Sequence, residues 1–265
     1  MNNAFQTIKI TTTISKNIYS IILNRPDKKN ALNDILISEL TKAFNELNKM
    51  DECRVIILSS NSDCFCSGAD LDDLKTMQQK DEETNLSDSE KLLNLYKSII
   101  YNTKLTIAKV DGPAIAGGCG LATACDLIFA SENAKFGYSE VKIGFVPALV
   151  SVFLSVRITK SKAKQLFLTG ERIDGKYAKE IGLINYLYEK KTLNKKVDSF
   201  CLNFIKKSSP QSVKTIKKLL LEYSDLDEKF NIAKKVNANS RKNTDCVKGI
   251  NFFLKKEKIN WNNDA

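Results

Sequence analysis

Val110-Asp-Gly-Pro-Ala-Ile-Ala-Gly-Gly-Cys-Gly-Leu121 follows directly on an apolar, strand-like run at Leu105–Val110. A strand, then small residues, then the start of a helix exposes backbone N–H groups at a helix N-terminus, where negative charge is stabilised. A second segment has the same plan: Cys64-Phe-Cys-Ser-Gly-Ala-Asp70 comes after a short buried strand expected over 55–58. Two such loops side by side can direct two amide donors at one oxygen, which is what an oxyanion hole requires. Neither loop matches the dinucleotide GxGxxG or the phosphate-binding GxxxxGK[ST] pattern. A third segment, Phe136-Gly-Tyr-Ser-Glu140, sets one acid among Phe136, Tyr138, Val141, Ile143 and Phe145. A carboxyl in such surroundings is either solvated by a loop or has a raised pKa.

Working outward, strands are expected over 5–14 and 18–23, with a turn at 24–27. Leu36, Leu40, Phe44 and Leu47 recur at helical spacing over 34–50, with Asn33 as N-cap. The polar, acidic stretch 78–89 lacks apolar periodicity and reads as a mobile loop; 92–100 reads as a helix. Strands separated by helices argue for βαβ units and a largely parallel sheet. After Pro147 helices dominate: 149–158, 160–168, 175–181, 191–205, 210–223, 226–238 and 244–255, with Pro210 well placed in a first turn. The fold class is therefore α/β over 1–200, followed by a helical C-terminal region, 201–265. That region must pack on its own core or on a neighbouring subunit.

Composition excludes several chemistries. The 265 residues contain no histidine, which removes Ser-His-Asp and Cys-His catalysis, His-ligated metals and a His general base. The seven cysteines are odd in number and form no CxxC pair. Cys64 and Cys66 have no second cluster to complete a zinc site, so no metal is expected. Scattered thiols read as a reduced, cytoplasmic protein. The N-terminus lacks a basic region followed by an apolar run, and no window of 18 apolar residues suggests a membrane span. The net charge of +10 is uneven, residues 201–265 carrying 14 Lys/Arg against 7 Asp/Glu. Phe204, Phe230, Phe252 and Phe253 in that region fall at positions expected to be buried, and no nucleic-acid-binding motif accompanies them. A positive field suits a small phosphorylated ligand.

Asn24-Arg-Pro-Asp-Lys-Lys-Asn-Ala-Leu32, Phe65-Cys-Ser-Gly-Ala-Asp-Leu71 and the 110–121 loop together resemble the crotonase (enoyl-CoA hydratase/isomerase) superfamily. So do Ala124-Cys-Asp-Leu-Ile-Phe-Ala130, the segment from Ala134 to Pro147, and Leu168-Thr-Gly170 with the stretch from Ala178 to Asn185. The resemblance runs from about Asn17 to Leu187, in order and at family spacing. It implies a crotonase-like spiral of ββα units, assembled as a homotrimer or a dimer of trimers. It also implies an acyl-CoA thioester substrate, no further cofactor, and a place in fatty acid or branched-chain amino acid catabolism.

Residue by residue, the resemblance assigns an enolate-stabilising pair of backbone amides to Ser67 and Gly117. Lys28 and Lys29 fall beside the CoA phosphates and Ala69, Asp70 and Leu71 beside the adenine; Ala31 and Pro147 line the same site. Glu140 is the acid/base. The family's second glutamate would stand at Gly120, and its absence leaves two reactions open. Hydration of a 2-enoyl-CoA is helped by two groups that hold one water; migration of a 3-enoyl double bond needs one shuttling base. Tyr138, Ser139, Ser67 or an acid from 78–90 are candidates for a second group. Segment similarity, nearest in appearance to bacterial enoyl-CoA and methylglutaconyl-CoA hydratases, favours hydration; Gly120 favours isomerisation. A non-catalytic acyl-CoA-binding protein is the third possibility.

Overall fold

The structure is a computed structural model that describes residues 5–12 and 14–261. The first half contains β1 (Ile8–Thr12), β2 (Ile18–Leu23), α1 (Asp34–Lys49), β3 (Val55–Ser60), α2 (Leu71–Met77), α3 (Glu82–Ile100), β4 (Leu105–Val110), β5 (Pro113–Ile115), α4 (Gly117–Ala124), β6 (Leu127–Ser131) and β7 (Lys135–Gly137). The second half contains α5 (Ala148–Arg157), α6 (Lys160–Thr169), β8 (Arg172–Asp174), α7 (Gly175–Glu180), β9 (Tyr186–Tyr188), α8 (Lys190–Lys207), α9 (Pro210–Glu222), α10 (Leu226–Ser240) and α11 (Thr244–Lys255). One sheet has the order β1-β2-β3-β4-β6-β9, parallel except for the β1–β2 hairpin. A small sheet, β5-β7-β8, stands beside it.

The central strands are apolar on both faces because both faces are covered. Ile56 and Leu58 of β3, with Ala108 and Val110 of β4, join the main core with α1, α3 and α4. Their neighbours Val55, Ile57, Leu105 and Ile107 turn the other way and meet Leu193, Val197 and Cys201 of α8. Asn33 caps α1 as expected, its side chain accepting from the Leu36 amide at 3.0 Å, and Leu36, Leu40, Phe44 and Leu47 are wholly buried.

The stretch 78–89 is not a loop. Asp81 caps α3 by accepting from the Thr84 amide, and Glu82 and Glu83 favour its positive end. The inward positions here are polar: Asn85 and Ser89 are buried, Ser89 donating to Asn237 Oδ1 at 2.9 Å and Asn85 Oδ1 accepting from Arg241 at 3.2 Å. Polar partners supplied by the end of α10 replace the apolar stripe that would have revealed the helix.

Of the C-terminal helices, α8, α10 and α11 cover their own chain. Residue 200 falls inside α8, which lies on the sheet. Phe230 and Ala233 of α10 enter the main core, and α11 buries Cys246 and Ile250 against Leu74. Of the four aromatics expected to be buried, Phe230 is; Phe204 and Phe252 are half-buried and Phe253 is exposed. α9 buries no side chain and leaves Ile216, Leu219, Leu220 and Tyr223 exposed. Among the described residues, no helix is long and apolar enough to cross a membrane.

Candidate active site

The two small-residue loops are zipped together. Phe65 and Cys66 both donate to the Pro113 carbonyl, at 2.9 and 3.2 Å, and Ile115 donates back to Cys66 at 2.9 Å. Gly118 is obligatory at this crossing, because a Cβ there would run into the Cys66 carbonyl. Ala116, which precedes α4, holds φ 51° and ψ −126°, a conformation L-residues seldom adopt. Its strain turns the chain sharply into the helix and leaves the Gly117 amide without an acceptor among the described residues.

The 24–32 segment forms the other side. Asn30 is wholly buried and its Nδ2 reaches Ser60 Oγ at 2.8 Å and the Cys64 and Phe65 carbonyls at 3.1 and 3.2 Å. Arg25 donates to Asp70 Oδ2 at 2.9 Å and to the Ala31 carbonyl. Asp70 is buried, and its other oxygen caps α2 through the Asp72 amide at 3.0 Å. Ser67 donates its backbone N–H to the Lys29 carbonyl at 3.1 Å, so the amide expected in the oxyanion pair is already engaged. Three residues on, Leu32 accepts from Asp70 and donates to Gly68. Ala69 between them faces the opposite way, its amide without an acceptor among the described residues.

These loops frame a cleft of about 980 Å³, at the upper end of what small-molecule sites occupy. Lys28, Lys29, Ala31, Ser67, Ala69, Asp70, Gly117, Glu140 and Pro147 all line it. Lys28 and Lys29 are exposed at the mouth. The Lys28 amine is 3.0 Å from Asp72, whose hydrogen bond raises its pKa. Leu71 opens α2; its side chain lies outside the described residues.

Glu140 starts a short 3-10 turn, Glu140–Ile143. The backbone of α11 presses on this turn at Gly249, where a Cβ would collide with Ile143. Glu140 is buried, at 7% exposure, and its Oε2 has no hydrogen-bond partner among the described residues. Burial raises its pKa from 4.5 to about 7. A carboxyl with one oxygen unpartnered that titrates near neutrality suits proton transfer in either direction.

The proposed second groups divide. Ser67 and Ser139 line the cleft. Tyr138 is buried away from it, its hydroxyl 3.2 Å from Thr123 Oγ1. From the 78–90 stretch Asp88 reaches the cleft wall, paired with Lys80 at 2.7 Å and Arg241 at 3.4 Å. Gly120 does not line the cleft; Tyr96 and Val150, which pack against it, do. Tyr96 and Arg241 are cleft residues the sequence did not disclose. Tyr96 sits in the apolar stripe of α3 with Leu92 and Ile99, and Arg241 lies far along the chain.

Residues 13–264 match the sequence model of a family described as Enoyl-CoA hydratase/isomerase. The chain belongs to that family. It is 36% identical over 245 residues to a Thermus thermophilus protein named "Putative enoyl-CoA hydratase", covering 89% of this chain and 94% of the other. It is 31% identical over 244 residues to the mitochondrial enoyl-CoA hydratase of Pongo abelii, covering 91% and 82%. Among solved structures, an enoyl-CoA hydratase/isomerase from Xanthobacter autotrophicus Py2 superposes with a TM-score of 0.86 at 25% identity, over 95% of this chain and 94% of that one. A methylmalonyl-CoA decarboxylase superposes with a TM-score of 0.85 at 24% identity and shares the fold. The crotonase fold is thus shared with enzymes of more than one reaction, and this enoyl-CoA hydratase/isomerase family member is an enzyme whose reaction its own side chains determine.

Proposed function

We propose that the enzyme hydrates a 2-enoyl-CoA thioester, with Glu140 as its acid/base. The observation that carries this is the Glu140 carboxyl: buried, with Oε2 unpartnered, titrating near 7, and lining one cleft with two uncommitted amides. The amides are those of Gly117 and Ala69, the latter in place of Ser67. Negative charge builds on the thioester oxygen as the neighbouring carbons react, and fixed N–H dipoles receive it without reorganising. Lys28 and Lys29 at the mouth suit the CoA phosphates as point charges, with the adenine against the 69–71 backbone. The names of the full-length relatives favour hydration.

Isomerisation of a 3-enoyl-CoA is the second reading, favoured by Gly120, because one base suffices to move a proton between two carbons. We propose further that the enzyme works as a homotrimer or a dimer of trimers, the exposed apolar residues of α9 being covered by a neighbouring copy. One spectrophotometric pair decides the reaction. Hydration removes the conjugated-thioester absorbance of a 2-enoyl-CoA; isomerisation creates it from a 3-enoyl-CoA. Loss of absorbance with the first substrate is expected; a gain with the second and none lost with the first would transfer the assignment to isomerase, and no change with either would overturn both readings.

A further inference from the structure

We propose that Gly249 of α11, with Gly144 opposite it, is a positioning residue for the reaction: the helix backbone seats directly on the backbone of the Glu140 turn and fixes where the acid/base stands. The inference rests on the reading of Glu140 as the acid/base. A Cβ on Gly249 would lie 2.3 Å from both the carbonyl carbon and the carbonyl oxygen of Ile143, and 2.7 Å from its Cα. A Cβ on Gly144 would lie 2.3 Å from the carbonyl carbon and oxygen of Asp245 and 2.7 Å from the Cys246 nitrogen. At both points the obstacle is backbone, which cannot rotate aside as a side chain can. Gly144 also needs glycine for its φ of 66°. Gly249 has no such need: it lies inside α11, where glycine is a worse helix former than alanine. The close approach is what its missing side chain serves.

The turn passes this contact on to Glu140. Lys142 donates its amide to the Ser139 carbonyl at 3.0 Å, Gly144 to Val141 at 3.2 Å and Phe145 to Glu140 at 3.0 Å, so residues 139–145 are tied into one unit. On its other side α11 is anchored to α2. Cys246 and Ile250 form a small core with Leu74, separate from the main one, and Gln78 Nε2 donates to the Val247 carbonyl at 3.2 Å. α2 itself starts from Asp70 in the cleft wall. One helix thus spaces the Glu140 turn from the segment that carries the Ala69 amide.

The seat also governs how dry the carboxyl is. Burial raises the Glu140 pKa to about 7. Tyr96 of α3, Cys119 of α4 and Tyr138 after β7 feel its charge, and burial keeps all three neutral. Asp245, Cys246 and Lys248 of α11 and Lys142 of the turn do not contribute to the shift. A turn pushed off its seat admits water to the carboxyl and lowers its pKa.

The test measures kcat, the pH profile of kcat/KM for 2-enoyl-CoA hydration and thermal unfolding in the wild type, Gly249→Ala, Asn251→Ala and Ile250→Val. An alanine at 249 forces the contact open by roughly 1 Å, and a misplacement of that size costs up to about 10²-fold. Gly249→Ala should lower kcat toward that factor and move the apparent pKa from about 7 toward 4.5. Asn251→Ala makes a helix-favouring change on the exposed face of α11 and should leave both unchanged; an equal shift there overturns the inference. Ile250→Val loosens the seat without a clash, and its profile should shift in the same direction by less. A Gly249→Ala enzyme with the wild-type pH profile, whatever its Tm, reduces the glycine to packing and overturns the inference. If Gly249→Ala does not fold, an unshifted profile in Ile250→Val overturns it. A wild type with no pH step near 7 overturns the reading of Glu140, and this inference with it.

Discussion

Glu140→Gln should inactivate the enzyme and, above neutral pH, stabilise it. The folded protein holds the carboxyl at about 7 instead of 4.5 because burial penalises the charged form. The folded state thus binds a proton that the unfolded state has released, and stability falls as pH rises between the two values. Below 4.5 both states are protonated and the group contributes nothing. Above 7 both are ionised and the full penalty stands. At about 1.4 kcal/mol per pH unit the penalty is roughly 3 kcal/mol, or up to about 10 °C in Tm at 2–4 °C per kcal/mol for a chain of this size. Glutamine never ionises, so the variant escapes it. Burying an amide where Oε2 has no partner adds a destabilisation of its own, but one that does not vary with pH. The diagnostic quantity is therefore the Tm difference between variant and wild type, followed by scanning calorimetry from pH 4.5 to 8.5. It should move in the variant's favour as pH rises and level off above 7. A difference constant across that range would refute a buried carboxyl near neutrality.

Lys28→Ala with Lys29→Ala should raise KM for acyl-CoA and leave kcat nearly unchanged, since remote phosphates are bound equally in ground and transition states; steady-state kinetics at rising salt should show the effect shrinking. Ala69→Pro should cost about 10²–10³ in kcat by deleting one oxyanion donor, whereas Ser67→Ala should be mild because neither its hydroxyl nor its amide is used; a dead, folded Ser67→Ala enzyme would restore a side-chain role. Arg241→Ala should destabilise by roughly 3 kcal/mol in denaturant melts, because it leaves Asp88, Asn85 and Asn237 with lost partners in a buried network.

Strands β1 to β4 of the main sheet and most of the helices were legible because their apolar periodicity is local, whereas β6 and β9 of the same sheet were not expected. α11 and β4 fall where the pattern puts them, and α1 ends within a residue of its expected limit. The 78–89 stretch was not legible, because its buried face is polar and its partners, Asn237 and Arg241, lie some 150 residues away. β5, β7 and β8 are three residues each, too short to show alternation. The same limit separates Ser67 from Ala69. Both lie in one small-residue loop, and only the pairing of that loop with Lys29 and Leu32 decides which amide turns to the cleft. Tyr96 was hidden for the opposite reason: at helical spacing among leucines and isoleucines it reads as core, and only the fold brings it to the wall of the cleft.

The pH dependence of kcat/KM for 2-enoyl-CoA hydration, followed by loss of conjugated-thioester absorbance, tests the account most directly. With Glu140 as the base, the wild-type rate should fall below an apparent pKa of about 7, the value of the free enzyme. Glu140→Gln should be slower by about 10²-fold or more across the range, the share a positioned proton carrier contributes. A wild-type profile flat from pH 5 to 9, or a Glu140→Gln enzyme with full activity, would contradict it.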